Sequence, residues 1–213
     1  MQPDLFGADR RQIRLSEGAV LLGGFALSHA EPLVAAIAAL TAAAPFRHME
    51  TPGGRRMSVA MSNCGPLGWV SDRGGYRYAA RDPLSGEPWP AMPVLFRTLA
   101  QDAAAQAGFA DFAPDACLIN RYEPGTQLTL HQDRDEQDRR APIVSVSLGL
   151  PAVFLWGGES RAGRAARHAL FHGDVVVWGG PSRMNFHGIA PLKDGLHPAT
   201  GALRYNLTFR TAG

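Results

Sequence analysis

Hydrophobic and polar positions in the first half of the chain alternate with the periods of helices and short strands. The apolar run at residues 18–25 predicts a strand that ends in a glycine pair. Residues 28–31 read Ser-His-Ala-Glu, the capping-box pattern, and predict the start of a helix that runs to about residue 44. Alternation at residues 57–63 predicts another strand, and residues 90–109 predict a second helix.

Two stretches of the first half lack any period. Residues 1–15 are polar and are expected to form a weakly ordered arm. Residues 65–87 are rich in glycine, aromatic residues and arginine, and a long loop is expected there. Such loops are often functional lids or binding loops, although an ordinary loop anchored by its aromatic side chains fits the pattern equally well.

From residue 116 onward the pattern becomes a succession of short strands. The predicted strands are 116–122, 127–136, 142–150, 153–156, 175–178, 183–189 and 203–210. About eight short strands separated by turns predict a sandwich or jelly roll, and the two early helices would cover one outer face. The fold class is therefore expected to be mainly β with flanking helices (α+β), in one domain spanning residues 1–213 whose core is formed by about 114–213.

Composition agrees with an ordinary globular protein. Of 213 residues, 46% are hydrophobic and 19% are charged, and the formal net charge of +2 is too small to indicate a nucleic-acid partner by itself. Two cysteines are too few for a disulfide framework, which favours a reduced, cytoplasmic protein. No stretch has signal-peptide character or approaches the ~20 apolar residues of a membrane span, so neither export nor membrane insertion is expected.

Candidate metal ligands lie in residues 129–136. On an extended strand His131, Asp133 and Asp135 would share one face, and an imidazole with a carboxylate at this spacing can hold one metal ion. A second histidine would complete the facial triad of non-haem iron(II) oxygenases. The His-x-Asp pair alone is a weak signal, because short motifs occur often by chance.

The third ligand has several candidates downstream. They are His168, His172, His187 and His197. We favour His187 because it lies on a predicted strand beside a glycine, which lets the backbone come close to a ligand. The alternative is that His187 is a hydrogen-bonded core histidine, and that the others are surface or turn residues.

The last predicted strand has one apolar and one polar face. Its even positions, Arg204, Asn206, Thr208 and Arg210, share the polar face, which a generic amphipathic strand would expose to solvent. The two arginines are separated by roughly 20 Å at ~3.3 Å per residue. Arginine forms bidentate pairs with carboxylates, and buried arginine requires such a partner. A small dicarboxylate bound beside the metal would satisfy this requirement.

These motifs together resemble the AlkB family of iron(II)- and 2-oxoglutarate-dependent DNA-repair dioxygenases. His-x-Asp, a distant histidine and Arg-x5-Arg stand in the family's order, and the resemblance extends from about residue 18 to the end of the last strand. It implies a double-stranded β-helix (jelly-roll) core, iron(II) held by His131, Asp133 and His187, and O2 as co-substrate. It also implies a 2-oxoglutarate site, formed by Asn120, Tyr122, Arg204, Asn206 and Arg210.

The resemblance further implies oxidative demethylation of N1-methyladenine and N3-methylcytosine lesions in DNA, with release of formaldehyde, succinate and CO2. The expected partner is alkylated single-stranded DNA, or RNA. The protein is expected to act as a monomer and to have no membrane partner. Residues of about 45–90 would form a nucleotide-recognition lid, because enzymes that modify a base extrude it and hold it between aromatic or apolar groups.

The family resemblance assigns nucleic-acid contacts to six residues. They are Trp69, Tyr76, Asp135, Thr51, Tyr78 and Arg161. Trp69 and Tyr76 would clamp the base opposite the His131 ring, and Asp135 would face its exocyclic edge. The basic loop 157–167 would meet phosphates, or would simply be solvated.

Departures from the family pattern concern the substrate rather than the reaction. They are Arg134, Trp156 and residues 184–186. Two alternatives remain open at this point. One is the same oxygenase chemistry on methylated RNA, a protein side chain or a small molecule, and the other is a non-catalytic metal-binding jelly roll.

Overall fold

The computed structural model of the protein describes residues 12–213, which contain thirteen strands, two α-helices and two short 3-10 helices. The strands are β1 (Gln12–Ser16), β2 (Ala19–Leu22), β3 (Ala60–Cys64), β4 (Gly68–Asp72), β5 (Gly75–Ala79), β6 (Ala116–Tyr122), β7 (Leu128–His131), β8 (Ile143–Gly149), β9 (Ala152–Trp156), β10 (Ala166–Leu170), β11 (Val175–Trp178), β12 (His187–Ile189) and β13 (Arg204–Arg210). The helices are α1 (Ala30–Ala43), α2 (Val94–Gln106) and the 3-10 turns Leu27–His29 and Gly180–Ser182.

The strands form two large sheets and one hairpin, all with antiparallel pairing. The major sheet has the order β1-β2-β11-β8-β13-β6-β3, and the minor sheet has the order β10-β9-β12-β7. Strands β4 and β5 pair only with each other, and we call them the lid hairpin because they lie in the stretch that was predicted to form a lid. Two antiparallel sheets with flanking helices confirm the predicted mainly β, jelly-roll fold class.

The hydrophobic core has two layers, one on each face of the major sheet. Strand β11 illustrates the division, because its side chains alternate. Val175 and Val177 pack with residues of α1 and α2, whereas Val176 and Trp178 pack with residues of the minor sheet. The predicted burial of both faces of this apolar strand is therefore confirmed, and the helices cover the outer face of the major sheet as expected.

Strand β13 lies in the middle of the major sheet and separates apolar from polar side chains. Leu207 and Phe209 belong to the helix-side core. Arg204 is fully buried, and Arg210 is only 6% exposed. The polar face of β13 therefore points into the molecule toward the minor sheet, and the solvent-exposed alternative is wrong.

Three local predictions are wrong. Residues 12–15 were expected to belong to a weakly ordered arm, but they form part of β1, because their backbone pairs with β2. Residues 1–11 of the predicted arm lie outside the described residues. Residues 65–87 contain the lid hairpin rather than an irregular loop, with Gly75 at φ +119° in its tight turn. Residues 28–31 make no capping box, since the Ser28 hydroxyl bonds the His29 ring and no side chain caps α1.

The predicted strand at residues 183–189 is also shorter than expected. Only its last three residues pair, as β12, while the preceding residues follow the Gly180–Ser182 turn. Within the described residues, no helix is both long and apolar enough to cross a membrane.

Candidate functional site

The antiparallel pairing of β7 with β12 creates the candidate metal site. His131 and His187 are directly opposed in this pair, and Asp133 follows two residues after His131, where β7 has ended. One potential ligand atom from each residue lies within 4.8 Å of the others. Of the four histidines considered as third ligand, only His187 reaches this cluster among residues 12–213.

Both histidine rings present the same nitrogen to the centre of the cluster. The Nδ1 of His131 lies 2.9 Å from the carbonyl oxygen of Thr129, and the Nδ1 of His187 lies 3.1 Å from that of Asn185. A carbonyl oxygen only accepts hydrogen bonds, so each Nδ1 carries the proton and each Nε2 keeps its lone pair. Burial, reinforced by the neighbouring His131, lowers the pKa of His187 to about 4, which keeps its ring neutral.

The carboxylate of Asp133 is buried and surrounded by positive or polarisable groups. Its Oδ1 lies 3.6 Å from the Nε2 of His131, and its Oδ2 lies 3.8 Å from that of His187. Arg210 donates to Oδ2 through Nε at 3.1 Å and Nη2 at 2.7 Å. Burial alone would raise the pKa of Asp133, but Arg210 and the two histidines hold it well below its usual range. Two neutral imidazoles and one ionised carboxylate are the donor set that suits iron(II).

A second part of the site lies on the polar face of β13. Asn206 accepts a hydrogen bond from Asn120 at 3.2 Å and donates to the hydroxyl of Ser145 at 2.8 Å. The guanidinium of Arg204 lies 5.9 Å from the ring centre of Tyr122, and its Nη2 donates to Ser147 at 2.9 Å. Burial raises the pKa of Tyr122 to about 12 and lowers that of Arg204 to about 10.

The guanidinium of Arg204 is not fully satisfied. Its Nε and Nη1 have no hydrogen-bond partner among the described residues, although the side chain is completely buried. A buried cation with free N–H groups is unfavourable unless an anion joins it. The residues present therefore fit a small carboxylate ligand at the Arg204 end of the polar face, as the sequence predicted.

A cavity of about 670 Å³ connects the candidate metal cluster with Asn206, Thr208 and Arg210 on the polar face of β13. Its lining contains twelve of the fourteen residues predicted to function: Thr51, Trp69, Tyr76, Asn120, Tyr122, His131, Asp133, Asp135, Arg161, His187, Asn206 and Arg210. The other two, Arg204 and Tyr78, are not part of that lining. The tertiary structure thus brings residues of both sheets, the lid hairpin and the loop before β10 to one cavity.

The lid hairpin contributes an aromatic wall to the cavity. The rings of Trp69 and Tyr76 stack on each other, with centres 5.7 Å apart and planes inclined by 14°. The indole Nε1 of Trp69 donates to Oδ2 of Asp135 at 2.9 Å. In the described structure both predicted clamp residues therefore lie on the same side of the cavity, and Asp135 already has an aromatic partner.

Sequence reasoning missed Glu136 and Arg183. Both are buried, and Arg183 donates to Oε2 of Glu136 at 2.9 Å and to the backbone oxygen of Asp133 at 2.7 Å. Strict alternation placed Glu136 on the face opposite the metal ligands, but β7 ends at His131, so alternation no longer applies. The hydroxyl of Tyr78, which was predicted to contact nucleic acid, donates to Oε1 of Glu136 at 2.6 Å.

The residues that depart from the family pattern lie around this cavity. Arg134 and Phe186 line it, and the ring of Trp156 lies 6.4 Å from that of His187. The indole of Trp156 donates to the hydroxyl of Ser16 at 3.1 Å. Trp156 therefore packs near His187, the third predicted ligand, whereas Arg134 is an exposed residue of the cavity lining.

Comparison with known proteins gives concordant matches. The sequence profile of the 2OG-Fe(II) oxygenase superfamily matches residues 18–210. The chain is 58% identical to the alpha-ketoglutarate-dependent dioxygenase AlkB of Salmonella typhimurium, over 98% of this chain and 97% of that protein. It is 59% identical to the protein of the same name from Escherichia coli, over 99% and 98%. The solved structure of OsALKBH1 matches 94% of this chain and 99% of its own, with a TM-score of 0.82 at 29% identity.

Proposed function

The chain belongs to the 2OG-Fe(II) oxygenase superfamily, and we propose that it demethylates alkylated bases in single-stranded DNA by iron(II)- and 2-oxoglutarate-dependent hydroxylation. The observation that carries the proposal is the His131–Asp133–His187 cluster at the floor of a cavity whose wall is aromatic. Two further relatives support the choice of nucleic acid as the substrate class: the DNA N(6)-methyladenine demethylase ALKBH1D of Arabidopsis thaliana, 37% identical, and the nucleic acid dioxygenase ALKBH1 of Homo sapiens, 31% identical.

The protein's own residues bind and orient in this reaction. His131, Asp133 and His187 would hold iron(II), and Arg204 and Arg210 would receive the two carboxylate ends of 2-oxoglutarate. When bound, iron(II) with 2-oxoglutarate and O2 supplies the oxidation of the N-methyl group, with succinate and CO2 as by-products and formaldehyde as the released carbon. No protein nucleophile is required for these steps.

The buried polar face of β13 orients the co-substrate. Arg204 offers its free Nε and Nη1 to one carboxylate, and Tyr122 and Asn120 border the same polar region on the neighbouring strand. Arg210 already contacts Asp133, so its guanidinium is fixed beside the metal-binding carboxylate. Since both arginines are buried, solvent is excluded from these charge-assisted hydrogen bonds and they are strong.

The cavity wall would hold the base. A methylated base of single-stranded DNA lacks a pairing partner, so less free energy is needed to insert it into a cavity. Trp69 and Tyr76 would supply a stacking surface and Asp135 a hydrogen-bond acceptor. Thr51 and Arg161, which also line the cavity, would contact phosphates. We further propose that the protein acts as a monomer.

Anaerobic reconstitution tests the proposal. The protein is loaded with iron(II) and 2-oxoglutarate, then given O2 and single-stranded DNA that carries N1-methyladenine or N3-methylcytosine. We expect formaldehyde and succinate in equal amounts, and a lower yield with the same lesion in a duplex. The same assay with methylated RNA tests the alternative substrate. Background succinate with every methylated nucleic acid would refute the substrate assignment and leave only the oxygenase chemistry.

A further inference from the structure

We propose that Glu136 is a positioning residue that fixes Arg210 beside Asp133 and, through Tyr78, couples the lid hairpin to the binding of 2-oxoglutarate. Glu136 belongs to none of the groups predicted to touch metal, co-substrate or base. The proposal rests on the proposed function only in naming 2-oxoglutarate as the ligand of Arg210.

The carboxylate of Glu136 lies where three separate parts of the fold meet. Its Oε1 accepts the Tyr78 hydroxyl of β5 at 2.6 Å and lies 3.2 Å from the Nε of Arg210 in β13. Its Oε2 accepts the Nη2 of Arg183, which precedes β12, at 2.9 Å. One buried carboxylate therefore connects the lid hairpin, the major sheet and the segment before the minor-sheet strand that carries His187.

Charge balance makes this carboxylate necessary. Asp133, Glu136, Arg183 and Arg210 are all buried, so two negative and two positive groups compensate each other away from water. Without Glu136, two buried guanidinium groups would share the single carboxylate of Asp133. An uncompensated buried charge is strongly unfavourable, and Arg210 would be drawn to a different position.

The contact with Tyr78 is the mechanical part of the connection. Tyr78 lies opposite Trp69 in the lid hairpin, and burial beside the Glu136 and Asp133 carboxylates raises the pKa of its hydroxyl, which keeps the donating proton in place. Tyr78 does not line the cavity, so its hydrogen bond can persist when a base enters. The Trp69–Asp135 bond, in contrast, lies in the cavity wall, where an entering base would compete with it.

Two hydrogen bonds thus connect the hairpin to neighbouring acidic residues, Trp69 to Asp135 and Tyr78 to Glu136, and the two have different roles. The Asp135 link is part of the substrate surface. The Glu136 link extends to Arg210, the predicted partner of the co-substrate. If a bound carboxylate draws the guanidinium of Arg210 toward itself, the ion pair between Arg210 and Glu136 weakens. The hydrogen bond between Glu136 and Tyr78 then changes as well. By linkage, any effect of 2-oxoglutarate on the hairpin equals the effect of hairpin closure on 2-oxoglutarate affinity.

Hydrogen exchange of the full-length protein tests this coupling without nucleic acid and without turnover. The probe ligand is 2-oxoglutarate with Mn(II) under anaerobic conditions, and the readout is amide exchange in residues 68–79 with and without ligand. Affinity for 2-oxoglutarate is measured in parallel by calorimetry. The variants are Glu136→Gln and Tyr78→Phe, and the matched control is Asp138→Asn, an exposed carboxylate of the same loop that pairs only with Arg140.

In the parent and in Asp138→Asn, we expect saturating 2-oxoglutarate to change hairpin exchange by roughly fivefold or more, the low end of the usual range for coupled sites. Tyr78→Phe should raise ligand-free hairpin exchange by roughly tenfold, because a charge-assisted hydrogen bond is lost, and should abolish the response to ligand. Glu136→Gln should lose the response and also bind 2-oxoglutarate roughly tenfold more weakly.

A purely structural role for Glu136 would lower stability but leave the ligand-dependent change intact. The proposal is overturned if 2-oxoglutarate changes amide exchange of the hairpin in Tyr78→Phe as much as in the parent. It is also overturned if hairpin exchange in the parent stays unchanged although calorimetry shows that 2-oxoglutarate binds. Should Glu136→Gln fail to fold, Tyr78→Phe still decides. If 2-oxoglutarate does not bind the parent at all, the proposed function fails, and ligand-free exchange in Tyr78→Phe against Asp138→Asn still tests the link between hairpin and Glu136.

Discussion

Replacing Arg204 by methionine should change the stability of the ligand-free protein much less than it weakens co-substrate binding. Methionine keeps much of the side-chain volume but removes the charge and all N–H donors. The side chain is fully buried, bonds only Ser147 among the described residues and leaves Nε and Nη1 without partners. Arg204→Met is therefore a direct test of whether this guanidinium exists for a ligand rather than for the fold.

The expected magnitudes follow from these contacts. Loss of the Ser147 bond and of the Tyr122 contact should cost about 1.5–3 kcal/mol and about 1 kcal/mol respectively. Removal of two unpaired buried N–H groups should return about 1–3 kcal/mol each. The ligand-free protein should thus lie between about 2 kcal/mol less stable and about 3.5 kcal/mol more stable than the parent. Two charge-assisted bonds to a carboxylate are worth about 3–6 kcal/mol, so 2-oxoglutarate should bind roughly 100-fold to 10,000-fold more weakly.

Two measurements decide the outcome. Urea unfolding of the ligand-free variant gives the stability change, and anaerobic calorimetry with Mn(II) gives the affinity for 2-oxoglutarate. Arg121→Met is the control, because Arg121 lies on the next strand, pairs with Glu123 and contacts Phe46 rather than the cavity. A variant that is destabilised by more than about 2 kcal/mol yet binds 2-oxoglutarate like the parent would contradict the reasoning.

Three further predictions concern the metal, the base and a histidine outside the site. Asp133→Ala removes one of three predicted ligands, so iron-dependent turnover should fall to background; full succinate production in this variant would exclude the ligand assignment. Trp69→Ala should weaken binding of methylated single-stranded DNA by about 1–3 kcal/mol in a fluorescence-anisotropy titration. It should leave uncoupled 2-oxoglutarate turnover largely intact. An unchanged affinity for the DNA would exclude a stacking role for Trp69. The ring of His172 accepts a hydrogen bond from the Gly149 N–H at 2.8 Å. Burial, together with the neighbouring His197, lowers the pKa of His172. Below about pH 6.5 the folded state therefore binds fewer protons than the unfolded state. Stability should therefore fall as the pH drops below about 6.5, and His172→Gln should show a shallower decline; an identical slope in urea unfolding would contradict this.

The sequence alone determined the features that depend on local spacing. Alternation on a strand places Arg204 and Arg210 on one face, and the apolar run at β11 requires cover on both sides. Residue types also carry chemistry, so an imidazole and a carboxylate two residues apart indicated a metal before any fold was known. The remaining site residues came from the resemblance to a family, which is information about related sequences and not about spacing.

Only the tertiary structure decided which distant residues meet. Pairing of β7 with β12 selects His187 from four candidate histidines, and no local pattern contains that pairing. Glu136 was missed because the strand ends at His131, and the loop that follows turns the carboxylate toward Arg183 and Arg210. The lid hairpin was read as a loop because β4 buries two consecutive residues, Val70 and Ser71, and β5 buries none, so neither strand shows the alternation of a half-buried strand. Strand pairing, strand ends and the burial of charge are set by long-range packing, and these are the parts of the site that a linear sequence does not display.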